Sequence, residues 1–203
     1  LFLLSDQHLK PWLTIANLFW AGEPLDEIKG GTCCPLPKDL SGAKWRPVTL
    51  LEPILNACML VWSRRTSAML HDRKLLFPSQ HAAVIDGSVV EPMYKLNRLM
   101  EDAVACQRPQ HLAALDSTAA FDSVPHDNVD PAFTRLGAPD DFVGWLRAAI
   151  SGHERVAATA YGVQPIGTGS KLGGSVPQGL TASPLIWDIV ADYGQAVANL
   201  AGG

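Results

Sequence analysis

The sequence predicts an α+β fold, because helical and strand patterns alternate irregularly rather than in the regular repeat of a doubly wound sheet. Of the 203 residues, 47% are hydrophobic and 18% are charged, which suits a sizeable core and excludes a disordered chain. The longest apolar runs are short and are broken by charge or proline, so no membrane span is predicted. No signal peptide is predicted either, and the two chain ends suggest a piece of a longer protein.

Helices are predicted where apolar residues recur at helical spacing next to proline or glycine signals. Pro53, Pro92 and Pro184 each stand in a predicted first turn, where a missing backbone N–H costs little. Asp127 is predicted to cap a helix that ends at Gly137. The predicted helices therefore cover about 12–20, 53–71, 92–103, 127–137, 139–152 and 183–197.

Short antiparallel strands are predicted between these helices. Residues 30–51 indicate a hairpin, with GGTCCPLPK and RPVTLL joined by a turn that contains serine and glycine. HLAALD, residues 111–116, is predicted as an apolar strand that ends in an acid. RVAATAYG and IGTGSKL are predicted as a second hairpin around the turn GVQP, residues 162–165.

Positive charge concentrates in one segment although the net charge is −4. Residues 29–74 hold eight Lys and Arg against three acids, and such a segment is able to hold phosphates, although a solvated helix face is the commoner explanation. The four cysteines show no metal-ligand spacing, which favours reduced thiols in an intracellular protein.

Three segments contain residues suited to phosphate chemistry, although each has an ordinary structural explanation when taken alone. Asp116, at the end of a predicted strand, is the kind of hard oxygen ligand that Mg²⁺ needs, yet aspartate is also common in turns. Gly179 in SVPQGLTASPL permits close backbone approach to a ligand, or simply a loop entering a helix. Lys38 and Arg46 lie on the two arms of the first hairpin. They either converge on one anion or are simply two exposed basic residues on the surface.

The order of these segments resembles the successive blocks of reverse transcriptases, and most closely those of the non-LTR retrotransposon type. The blocks are LPKD with WRPVTLL, then FPSQHA, then LDSTAAFDSVPHD, and then SVPQGLTASPL. The stretch 120–152 is similar to that family along its whole length, and the resemblance covers roughly residues 10–200.

The resemblance implies a right-hand polymerase fragment, with a fingers-like region at 1–108 that contains the basic hairpin and a partial palm at 109–203. It implies an RNA-directed DNA polymerase that uses an RNA template, a DNA primer, dNTPs and two Mg²⁺ ions. It also implies that the protein acts in the nucleus. The site residues that it implies are Asp116 and the Ser117 carbonyl as metal ligands, Phe121 as the gate against ribose, Gln178 and Gly179 at the nucleotide and template, and Lys38 and Arg46 on the triphosphate.

The principal departure from the family pattern is the second carboxylate block. These 203 residues contain no aromatic-x-Asp-Asp sequence, so the isolated chain is expected to lack polymerase activity. Asp188 and Asp192 are interpreted as the solvated face of the last helix, and Arg64 and Arg65 as possible contacts to template phosphates. Two alternatives remain: a decayed or domesticated copy that binds RNA without catalysis, and another palm-type polymerase. Phe121 favours deoxynucleotides over the latter.

Overall fold

A computed structural model describes residues 6–23, 26–41, 44–82, 87–112, 114, 116–117, 120–166 and 175–201. The helices are α1 (Asp6–Trp20), α2 (Pro53–Asp72), α3 (Val90–Ala105), α4 (Val129–Arg135), α5 (Asp140–Ile150) and α6 (Ser183–Ala201). The strands are β1 (Gly31–Pro37), β2 (Trp45–Leu51), β3 (Arg155–Thr159) and β4 (Gly162–Ile166), and single 3-10 turns occupy Asp26–Ile28 and His126–Asn128. This mixture of helices and a small sheet agrees with the predicted α+β class.

The four strands form one mixed sheet in the order β2-β1-β3-β4. The predicted hairpin at 30–51 is confirmed, since β1 pairs with β2 antiparallel from Gly31 opposite Leu51 to Pro37 opposite Trp45. The strands are not all antiparallel, however, because β1 pairs with β3 in parallel, with Gly31 opposite Arg155. This pairing joins the region predicted as fingers to the region predicted as palm, and the division itself remains a prediction.

The core lies where α2, α4, α5 and α6 meet. Fully buried apolar side chains come from all four helices: Leu55 and Met59, Val129, Leu146 and Ile150, and Leu185, Ile186 and Ile189. Stacked and tilted aromatic rings link α2 to α4 and α5 through Trp62, Phe133 and Phe142. Apolar burial of this kind is the main term that stabilises such a fold.

The prolines and glycines explain most helix boundaries. Pro53 stands in the first turn of α2, where its missing N–H is tolerated. Gly22, Gly137 and Gly152 follow α1, α4 and α5 with positive φ angles of 84°, 80° and 71°, a conformation that glycine adopts at no steric cost. The predicted helices at 12–20, 53–71, 139–152 and 183–197 are thus confirmed within a few residues.

Three local predictions are wrong. The described residues of 111–116 form no strand; residues 113 and 115 lie outside the described set. Residues 162–165 form strand β4 rather than a turn, because the chain reverses earlier, at 160–161; the predicted strand beyond residue 166 lies outside the described residues up to 172.

The third wrong prediction concerns the cap of a helix. Asp127 lies in a 3-10 turn and accepts a hydrogen bond from Arg147 of α5 instead of capping α4, which has Asn128 at its N-cap. The helix predicted at 92–103 is confirmed as α3, and its apolar stripe has no buried side chain among the described residues, with Met93 and Met100 58% and 57% exposed.

Within the described residues, none of the helices combines the length and the apolar character needed to cross a membrane.

Candidate functional site

The segment that contains Gln178 and Gly179 lies directly against strand β2. The backbone N–H of Thr49 donates to the Gln178 carbonyl at 2.7 Å. Gly179 has a φ of +136°, and a Cβ built on it would lie 1.9 Å from the Thr49 carbonyl oxygen. Glycine is therefore required here, because one backbone approaches another closely; the predicted contact of Gly179 with a nucleotide remains a prediction.

The segment that follows Phe121 also contacts the segment of Gln178 and Gly179. Pro125 forms an isolated antiparallel bridge with Ser175, three residues before Gln178. Val124 and Val176, on either side of that bridge, are 2% and 1% exposed and belong to the core. The bridge therefore fixes the segment 120–126, which contains Asp122, against the segment of Gln178 and Gly179.

Lys38 and Arg46 lie at the turn end of the first hairpin. Arg46 is opposite Leu36 in the register, and the Lys38 N–H donates to the Lys44 carbonyl at 2.7 Å. Both basic side chains are exposed. Three segments that the sequence singled out, namely 36–51, 120–126 and 175–180, thus meet in the fold, and the charge of Lys38 acts on Asp122 in the second of them.

Asp116 and Ser117 are described, exposed and outside any helix or strand. Carboxylate and carbonyl oxygens suit Mg²⁺, which commonly binds one or two carboxylates together with phosphates of its substrate. Across the described ranges, however, no three His, Cys, Asp or Glu side chains are grouped to hold a metal ion. Asp116 and Ser117 therefore offer the kind of oxygen that Mg²⁺ binds, but the described residues contain only part of a set of metal ligands.

A buried polar cluster lies where segments 120–126 and 175–180 meet, and it was not predicted from the sequence. Arg155 is 3% exposed, and its Nη2 donates to the Ser175 carbonyl at 3.1 Å. Burial raises the pKa of the Asp122 carboxyl, and the positive charges of Arg155 and Lys38 act against that rise. Burial has the opposite effect on the neighbouring imidazole and lowers the pKa of His126, whose ring interacts with the Ser175 backbone. No local sequence pattern indicates this cluster, because its members come from segments that are distant in the sequence.

These three segments lie in a part of the chain that matches a known protein family. The family model described as reverse transcriptase (RNA-dependent DNA polymerase) matches residues 36–197. The chain belongs to this family. All three segments that meet in the fold lie inside the matched reverse transcriptase region, so their contacts are contacts between parts of one family domain.

A curated relative supports the same conclusion. The chain is 26% identical over 167 residues to the retrovirus-related Pol polyprotein from type-1 retrotransposable element R2 of Popillia japonica. The match covers 79% of this chain and 22% of the relative, so the chain spans about a fifth of the length of that polyprotein.

Two acids of α6 in this reverse transcriptase domain correct the sequence interpretation. Asp188 and Asp192 were expected to face solvent, but they are 3% and 0% exposed. Asp192 pairs with Arg135 of α4 and accepts the Phe77 N–H at 2.7 Å. The segment around FPSQ, residues 77–80, docks on α6 through this bond and through Gln80, whose Nε2 donates to the Asp188 carbonyl at 3.0 Å.

The Asp188 carboxyl is expected to make the stability of the domain depend on pH. Burial raises its pKa to about 7, whereas an unfolded aspartate titrates near ~3.9. The stabilising contribution is therefore fully present below about pH 4 and is lost as the pH rises through about 7. At about 1.4 kcal/mol per pKa unit, the loss is up to about 4 kcal/mol.

Urea denaturation at pH 5 and pH 8 checks this. We expect Asp188→Asn to raise the free energy of unfolding at pH 8 by a few kcal/mol, on the order of the linkage term, and to change it much less at pH 5. An equal effect of Asp188→Asn at both pH values would contradict the assigned pKa.

Proposed function

We propose that the full-length protein is an RNA-directed DNA polymerase of the non-LTR retrotransposon type. The family match over residues 36–197 supports the reaction class, and the retrotransposon name of the curated relative supports the type. The observation that carries the proposal is the meeting of segments 36–51, 120–126 and 175–180, because nucleotidyl transfer needs the groups that contact one nucleotide to be held together. Its partners would be an RNA template, a DNA primer and dNTPs, and it would act in the nucleus.

The proposed roles follow the family blocks. The fold would be the fingers and palm of a right-hand polymerase. Asp116 and the Ser117 carbonyl would hold Mg²⁺ together with substrate phosphates and further carboxylates. Two such ions, when bound, would stabilise the charge that develops on the attacking and leaving oxygens.

The other residues would bind and orient the nucleotide. Lys38 and Arg46 are exposed cations at the hairpin end and would bind the triphosphate. The segment Gln178–Gly179, fixed to β2 by the Thr49 bond, would contact the nucleotide and the template. Phe121 is half-buried, four residues before Pro125, and would exclude the ribose 2′-hydroxyl by size.

Substitution of Phe121 tests the proposal. The full-length protein is expected to extend a DNA primer on an RNA template with dNTPs and to discriminate strongly against rNTPs. We expect Phe121→Ala to relax that discrimination by at least about tenfold, since one steric contact of this kind contributes on the order of 1–3 kcal/mol.

The matched control for this experiment is Tyr161→Ala, because Tyr161 is fully exposed in the turn between β3 and β4. Tyr161→Ala should leave the ratio of dNTP to rNTP incorporation unchanged. RNA binding without any extension by the wild-type protein would contradict the proposed activity and would favour a non-catalytic RNA-binding copy.

A further inference from the structure

Arg155 occupies the junction between the sheet and the candidate site. It is the first residue of β3 and stands opposite Gly31 in the parallel pairing with β1. Its side chain is almost completely buried. Burying a guanidinium is far more costly than burying an apolar side chain of similar volume, so its partners must offset that cost.

The partners of Arg155 belong to two of the three segments that meet at the site. Its Nη2 donates to the carbonyl of Ser175, which is bridged to Pro125 and precedes Gln178 by three residues. Its charge also interacts with the carboxylate of Asp122, which follows Phe121 directly. One cation on β3 is therefore hydrogen-bonded to the segment of the proposed nucleotide contact, and its charge acts on Asp122 in the segment of the proposed gate.

The surroundings of this cation are polar and enclosed. Asp122 Oδ1, His126 Nε2 and Ser175 Oγ are buried and have no hydrogen-bond partner among the described residues. In such a low-dielectric interior, a charge acts strongly on the polar groups around it. An apolar side chain at position 155 would fill the space but would leave the Asp122 carboxylate without the stronger of the two positive charges that act on it, the other being Lys38.

We infer that Arg155 is a positioning residue, whose buried guanidinium sets the segment 175–180 against the segment 120–126 and thereby orients Phe121 and Gln178 toward the incoming nucleotide. The inference rests on the proposed function, because positioning has a consequence only if this site binds a nucleotide. Arg155 itself touches neither substrate nor metal in this account.

Steady-state primer extension by the full-length protein is the first test. Arg155→Met keeps much of the side-chain length without the charge, and we expect it to lower kcat/KM for dNTPs by at least about tenfold, which corresponds to the ~1.4 kcal/mol of one decade. Arg155→Lys should recover part of this loss, because an ammonium restores the charge near Asp122 but lacks the fork that also reaches Ser175. Arg98→Met is the control, since Arg98 is exposed on α3 and pairs only with Glu101 among the described residues.

Amide hydrogen exchange of the same protein gives a readout that does not need activity. The Thr49 N–H donates to the Gln178 carbonyl, so its exchange rate reports whether the segment is docked on β2. We expect Arg155→Met to accelerate exchange at Thr49 by at least about tenfold, while amides in the core of α6, such as that of Ile189, keep their rates.

Each outcome decides between the claims. Unchanged Thr49 exchange in Arg155→Met overturns the inference whatever the activity, and so does a uniform acceleration that includes α6, because that means general destabilisation. A kcat/KM equal to that of Arg98→Met also overturns it. A wild-type protein that extends no primer contradicts the proposed function alone, and the Thr49 exchange rate then decides whether Arg155 positions the segment.

Discussion

Gly179→Ala is expected to destabilise the domain by roughly 2–4 kcal/mol, because the added methyl group has no space. The new Cβ would lie 1.9 Å from the Thr49 carbonyl oxygen and 3.0 Å from the Thr49 carbonyl carbon, both of which belong to the backbone of β2. A flexible side chain is able to move away from such a contact, but a paired strand is not. The φ of +136° adds strain, since L-residues rarely adopt it.

Gly194→Ala is the matched control, and we expect the opposite sign. Gly194 lies in the interior of α6, and nothing lies within 4 Å of a Cβ built on it. Alanine there should stabilise the helix by up to about 1 kcal/mol. Urea denaturation of the two variants, compared with the wild type, gives both values. A Gly179→Ala variant as stable as Gly194→Ala would show that the segment 175–180 is not packed on β2 as described.

Asp192→Ala is expected to cost about 2–3 kcal/mol, because it removes the buried partner of an ion pair and leaves the Phe77 N–H without its acceptor. Asp192 is fully buried and holds Arg135 of α4 and the backbone N–H of Phe77 at the same time. The guanidinium of Arg135 also lies 5.7 Å from the centre of the Phe77 ring, so all three groups form one unit. Loss of the carboxylate leaves a donor and a partly buried cation without their acceptor.

Asp192→Asn separates the two parts of this effect. The amide oxygen still accepts the Phe77 N–H, so Asn should lose less stability than Ala and keep the 77–80 segment docked on α6. Glu101→Gln is the control for an exposed ion pair, with Arg98, and should change the free energy of unfolding by less than about 0.5 kcal/mol. If Asp192→Ala were as mild as this control, the buried pair would carry no stability.

Local chemistry made much of the fold predictable. Proline in the first turn and glycine after the last turn are signals that act within a few residues, so the bounds of α2 and α5 followed from Pro53 and Gly152. The hairpin at 30–51 followed equally from two strands and the turn between them. The parallel pairing of β1 with β3 was missed, because it joins strands separated by more than a hundred residues and has no local signal.

The candidate site was predictable as a set of segments but not as an arrangement. The order of the blocks predicts roles for Asp116, Phe121, Gln178 and Gly179, and these positions lie inside the matched range, but their roles stay predictions. Their supporting residues could not be found in this way. Asp192 sits four residues after Asp188, a spacing that usually indicates a solvated face, and its partners Arg135 and Phe77 are 57 and 115 residues away in the sequence.

The most direct test of the central claim is primer extension by the full-length protein carrying Asp116→Asn. Asparagine keeps the size of the side chain and removes the negative charge that would hold Mg²⁺. We predict that extension on an RNA template falls by at least about a thousandfold, on the scale of losing an essential electrostatic group. Asp72→Asn, an exposed aspartate at the end of α2, should keep wild-type activity. Extension by Asp116→Asn at the rate of Asp72→Asn would contradict the assignment of this domain as the catalytic part of a reverse transcriptase.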